Sequence, residues 1–96
     1  MNTMNTMNKL AQLLGCKAKD KVTGYTGVIT SLSFDLYGCV QFVITPPLKE
    51  GELSSGAWFD ANRIEVLDYT LVMQQPDFAQ GYVAEGRKGC ALKPLP

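Results

Sequence analysis

Between Val22 and Leu67 apolar side chains fall at alternate positions in short runs, and each run is closed by glycine, proline or aspartate. A period of two places successive side chains on opposite faces of an extended chain, so each run predicts a half-buried strand. The first strand is expected near Asp20, carrying Lys21, Val22 and Thr23. Gly24-Tyr25-Thr26-Gly27 then supplies a tight reversal bracketed by two glycines. Residues 27–34 are rich in β-branched side chains and set Val28, Thr30, Leu32 and Phe34 against Ile29, Ser31 and Ser33, with one face in the core and the other solvated. Asp35-Leu36-Tyr37-Gly38 has turn chemistry, and residues 39–45 alternate Val40, Phe42 and Ile44 against Cys39, Gln41 and Val43. These two strands are expected to form the central hairpin.

Pro46-Pro47 ends the pairing because proline has no amide donor, and residues 48–55 read as an exposed loop. Gly56-Ala57-Trp58-Phe59 is a fourth strand, in which Trp58 is expected in the core, so that Trp58→Ala would unfold the domain. Asp60-Ala61-Asn62-Arg63 fits one tight turn begun by an aspartate cap, and residues 64–67 close the sheet. Upstream, Leu10, Leu13 and Leu14 have the i, i+3, i+4 spacing of an amphipathic helix, with Asn8 as its cap and Gly15 as its stop. Its apolar stripe suits packing over one open end of a barrel.

The chain therefore divides into a leader at 1–7, where Met-Asn-Thr repeats, a barrel with its helix at 8–69, and an extension at 70–96. The leader is expected to be disordered. Residues 69–73 form an apolar run able to add a strand to a neighbouring sheet. Residues 74–96 hold three glycines and three prolines and are expected to be mobile or ordered only against a partner.

At 96 residues the chain is one domain with a modest core, and its 46% hydrophobic and 19% charged residues are those of a folded protein. Nine basic and nine acidic side chains cancel, so no net field gathers a polyanion or an acidic membrane. Histidine is absent, which removes nucleophile–histidine catalysis and the commonest metal ligand. Cys16, Cys39 and Cys90 lack CxxC spacing, so neither a metal site nor a disulfide framework is indicated, and reduced thiols in a cytoplasmic protein are expected. Cys39 is expected in the core and Cys90 exposed. No cofactor is implied, and no run approaches the ~18–20 apolar residues of a membrane span.

The hairpin Val22-Thr23-Gly24-Tyr25-Thr26-Gly27-Val28-Ile29 resembles the Val-x-Gly-x-x-Gly opening of SH3-like barrels. The resemblance implies a mainly all-β, five-stranded SH3-like small barrel, here with a short N-terminal helix and an extended C-terminal tail. Together with Tyr37-Gly38-Cys39-Val40-Gln41, Trp58-Phe59-Asp60, Lys88-Gly89 and Lys93-Pro94, it is similar to small uncharacterised proteins of phages, prophages and mobile bacterial DNA. A more distant architectural resemblance is to the type II dihydrofolate reductases, barrels that work as homotetramers. Their pore-lining Val-Gln-Ile-Tyr motif is replaced at the comparable place by Gly56-Ala57-Trp58-Phe59, which argues against that activity.

Three functions compete. A non-enzymatic protein–protein interaction or assembly module of a bacterial mobile element or phage, expected to self-associate, rests on the neutral surface and on Tyr25, Tyr37, Tyr69, Leu71 and Met73 as contact residues. A nucleic-acid-binding barrel would use Lys17, Lys19 and Lys21, although lysines on a strand edge also discourage edge pairing. A small-ligand-binding or enzymatic homo-oligomer would need the isolated carboxylates Asp20, Asp35, Glu50, Glu52 or Asp60, which form no paired set and suit caps and solvation.

Overall fold

The computed structural model describes residues 3–76, with side chains from residue 7 onward. A helix α1 (Thr3–Ala11) leads into β1 (Lys17–Asp20), β2 (Thr26–Phe34), β3 (Val40–Thr45), β4 (Ala57–Asp60), a 3-10 turn (Ala61–Arg63) and β5 (Ile64–Asp68). The strands make one antiparallel sheet in the order β4-β3-β2-β1-β5. β4 and β5 stand at opposite ends of that order and are not hydrogen-bonded to each other. The ladder is thus an open five-stranded sheet, without the closure a barrel requires.

One face of the sheet holds the core. Ala18, Ile29 and Phe42 are its fully buried centre, and Leu10, Leu13 and Leu14 of the N-terminal segment pack on it with Leu32, Ala61 and Ile64. Helix α1 starts inside the stretch expected to be a disordered leader, and Asn8 lies within it rather than at its cap. Its regular part ends at Ala11. Residues 12–15 then unwind through the bonds Leu13 N–H to Leu10 O and Leu14 N–H to Ala11 O.

β1 lies upstream of its expected place. Lys21, Val22 and Thr23 form the turn, and Val22 is largely exposed. Alternation alone misplaced this strand because Lys17-Ala18-Lys19-Asp20 carries only one apolar residue, yet Ala18 and Asp20 are the pair that points inward. The faces of β2 are also not those of strict alternation. Ile29 is buried, and a bulge between Ile29 and Ser31 inserts Thr30, after which Leu32 turns to the core. An extra residue on one strand shifts the parity of everything beyond it, which no period-two pattern anticipates.

Two sequence-based assignments are reversed. Cys39 is exposed, because its N–H is still held by the Asp35 Oδ1 of the turn at 2.9 Å and β3 begins only at Val40. Trp58 is 44% exposed, because Phe59 lies opposite Phe42 on the core face and Trp58 therefore faces outward opposite Val43. The tight turn after β4 is present, but Asp60 makes no capping hydrogen bond; its Oδ1 accepts instead from Gln41 Nε2 at 3.0 Å.

Candidate interaction surface

The outward face of β2, β3 and β4 is built by register. Val28 lies opposite Thr45, Ser31 opposite Val43, and Val43 opposite Trp58; Ser33, Gln41 and Asp60 form the next row. Thr30 and Thr45 join their hydroxyls at 2.8 Å. Val43 is only 7% exposed although it points away from the core, and Trp58 beside it remains nearly half open. Across Val28, Thr30, Ser31, Val43, Thr45 and Trp58 there is no charged side chain. Aromatic enrichment with charge depletion at the centre and polar groups at the rim is the composition of an interface core.

Beside Val28 and Thr30 opens an apolar groove of about 390 Å³, walled on its other side by Leu14, Val72, Met73 and Pro76. Residues 69–76 form no strand and lie as a strap against the end of the helical segment. Val72 N–H donates to Gly15 O at 3.0 Å, and Gln75 Nε2 donates to Ala11 O at 3.3 Å, Gln12 O at 3.1 Å and Leu14 O at 2.8 Å. Helix ends leave carbonyls short of partners, and one glutamine amide here reaches three carbonyls, of which Ala11 O also accepts from Leu14 N–H.

The expected contact residues are scattered by this arrangement. Tyr25 is half-buried, its ring 5.2 Å from that of Phe59, so it covers the core. Tyr37 sits at the tip of the β2–β3 hairpin, 87% exposed, beside the equally open Leu36. Tyr69, Leu71 and Met73 all lie on the strap, where Tyr69 and Met73 are exposed and Leu71 reaches Gly15. Sequence reasoning missed Trp58 as a surface residue and Gln75 as an anchor. The signal for Trp58 was available, since placing Phe59 opposite Phe42 forces its neighbour outward.

Of the three lysines, Lys17 and Lys21 are exposed, and Lys19 lies 3.7 Å from Glu65 on β5. The charge of Lys17 helps hold the Asp68 carboxyl below its usual range, after the larger effect of the Thr70 N–H bonded to it at 2.9 Å. The basic stripe is therefore interleaved with acid rather than set out for phosphates.

The one buried charge among the described residues, Asp20, is structural. Its Oδ1 accepts from Arg63 Nε at 2.7 Å; its Oδ2 accepts from Arg63 Nη2 at 2.7 Å, Thr23 Oγ1 at 2.6 Å and Thr23 N–H at 3.0 Å. Arg63 in turn lies 5.4 Å above the Phe59 ring. The bidentate guanidinium, aided by Thr23, holds the Asp20 carboxyl well below the usual carboxylate range against the opposing pull of burial. Four hydrogen bonds from Arg63 and Thr23 hold the ionised carboxylate in place, so it locks β1 to the 3-10 turn. The Asp35 charge pushes the exposed Cys39 thiol upward, lowering its thiolate fraction.

Among the described residues no group of three metal-ligating side chains gathers, and no helix is long and apolar enough to cross a membrane. No protein-family model matches the chain, and no curated protein or solved structure matches it.

Proposed function

We propose that this chain is a non-enzymatic protein–protein interaction and assembly module that associates with copies of itself. The observation that carries the reading is the uncharged patch of Val28, Thr30, Ser31, Val43, Thr45 and Trp58 on the outward face of β2–β4, with Trp58 open on the edge strand β4. An edge strand normally carries lysine, proline or an inward charge that blocks further pairing. β4 reads Ala57-Trp58-Phe59-Asp60 and has none of these before its last residue. A chain with no net charge also adds no long-range repulsion between copies.

Within the same reading the open sheet is an incompletely closed form of a small SH3-like barrel. Its support is the strand order, with β1 between β2 and β5, and the single 3-10 turn linking β4 to β5 beneath a shared core. A setting in phage or other mobile bacterial DNA, and a cytoplasmic location, belong to the reading through the sequence resemblance and the cysteine pattern.

The test is solution mass by light scattering across a wide concentration range, at low and moderate salt, on the wild type and on Trp58→Ser. The expected result is a wild-type mass that rises above the 10.5 kDa of one chain, with the variant folded by circular dichroism and shifted towards monomer. A wild type that stays at the monomer mass at every concentration overturns self-association.

A further inference from the structure

We infer that residues 69–76 are a strap that opens as a unit, with the Gln75 side chain as its latch. Closed, it walls the groove and covers the corner formed by Leu13, Leu14 and Cys16. The groove borders Val28 and Thr30 of the outward face, but the latch rests on its own contacts and not on what that face binds.

Three features of the strap carry the inference. Few apolar contacts hold it, since Tyr69, Val72 and Met73 are each at least half exposed and Leu71 is 38% exposed. Its polar attachments are concentrated at one side chain. The Gln75 amide has two hydrogens for the three carbonyls of Ala11, Gln12 and Leu14, so replacing this single residue strips the helical end of all three bonds. Finally, what lies underneath is not surface in the closed state: Cys16 is 1% exposed, and its Sγ lies 3.8 Å from the Tyr69 carbonyl. A cavity of about 500 Å³ between Lys9, Gln12, Leu13, Cys16, Tyr69 and Gln75 already separates strap from helix along part of this seam. Segments with few buried contacts and solvent-facing hydrogen bonds open well below the free energy of global unfolding.

Opening would bare Leu13 and Leu14 and remove the Val72–Met73–Pro76 wall, converting a groove into an open apolar shelf. The strap is thereby a gate on that shelf.

Cys16 reports the motion directly. The experiment measures the rate at which a thiol reagent modifies Cys16 in the full-length native protein, read by mass spectrometry of the peptide that contains it. Wild type is compared with Gln75→Ala and Gln75→Glu, with the exposed Cys39 as internal control. Gln75→Glu keeps the size but sets a carboxylate against three carbonyls. The expected result is a rise of about tenfold or more in Cys16 modification in both variants, the size associated with losing one to two net hydrogen bonds, with little dependence on urea well below the unfolding midpoint and with the Cys39 rate close to wild type. Unchanged Cys16 rates overturn the latch. Cys16 rates that climb with urea as steeply as global unfolding does overturn the independent strap, because they tie exposure to global unfolding.

Discussion

Gly27→Ala is expected to cost far more than Gly24→Ala, although both glycines flank the same turn and a sequence motif treats them alike. Gly24 has a φ of 81° with open space around it, so a methyl group there meets no neighbour and carries only the left-handed backbone penalty, about 1 kcal/mol. Gly27 needs no unusual φ. It is buried in β2 opposite Ala18, and a Cβ built on it falls 2.1 Å from the Thr45 carbonyl oxygen, 2.5 Å from the Thr45 carbonyl carbon and 2.9 Å from the Pro46 Cα. Those are backbone atoms, which no rotamer change removes. Relieving the contact requires β2 and β3 to part by roughly 1 Å at the Val28–Thr45 pair, given ordinary separations near 3.5 Å.

Hydrogen bonds that begin near 2.9 Å do not survive that movement. One or two ladder bonds at about 1 kcal/mol each, added to about 1–3 kcal/mol of overpacking, give roughly 2–5 kcal/mol. For a domain of this size 1 kcal/mol moves Tm by about 4–8 °C, so Gly27→Ala should melt roughly 8–40 °C lower and Gly24→Ala about 4–8 °C lower. Thermal and urea denaturation followed by far-UV circular dichroism measure both. A Gly27→Ala protein within about 1 kcal/mol of wild type, or less damaged than Gly24→Ala, refutes the close approach of the two strands.

The Asp20 lock sets an acid limit. Its carboxyl is held below the usual range, so the stability it contributes is complete above the unfolded value near pH 4 and is lost as pH falls further through the folded one. Asp68 adds a contribution of the same sign. Urea midpoints should therefore decline below about pH 4, and Asp20→Asn should be less stable at pH 7 with a shallower acid decline; an unchanged decline in that variant places the acid sensitivity elsewhere. Trp58→Ala should remain folded at a cost under about 2 kcal/mol, since nearly half of the residue is already in water, whereas Phe59→Ala should cost about 3–5 kcal/mol. Equal losses in urea titrations of the two variants contradict the assigned faces. Trp58 fluorescence should also be quenched by iodide in the monomer and protected as concentration rises, and quenching that ignores concentration at a fixed mass argues against Trp58 as the contact.

The central hairpin was legible because its pattern and its turn agree: Asp35 and Gly38 fix the reversal, and Phe42 and Ile44 fix the inward face of β3. The reversal after β4 was legible for the same reason, although its aspartate serves Gln41 and not the cap. What stayed hidden depends on contacts distant in sequence. β1 hides because its inward residues are alanine and an aspartate, and a buried aspartate looks like a loop residue until Arg63, 43 positions away, is placed beside it. The bulge at Thr30 hides because its reason lies in the pairing with β3. Gln75 carries no signal of its own, since a glutamine acquires meaning as a latch only when the helical end is brought within 3 Å of it.

Trp58 and Phe59 show how the candidate surface follows from the same register that builds the core. Phe59 is held inward by three contacts made on its own side of the sheet: Phe42 opposite it, Tyr25 against its edge and Arg63 above its face. Arg63 is fixed in that position by Asp20, so the buried charge pair also orients the ring. Once Phe59 is committed to the core, pleating leaves Trp58 no inward alternative, and Val43 is the only apolar residue directly across from it. A large aromatic thus stands on an edge strand whose backbone, among the described residues, has a strand neighbour on one side only. Burial of that ring by a second molecule needs no rearrangement of the fold, because the residues that hold it outward are already fixed from within. Weakening the Asp20–Arg63 lock should therefore lower stability first and association only through it, whereas changing Trp58 should do the reverse.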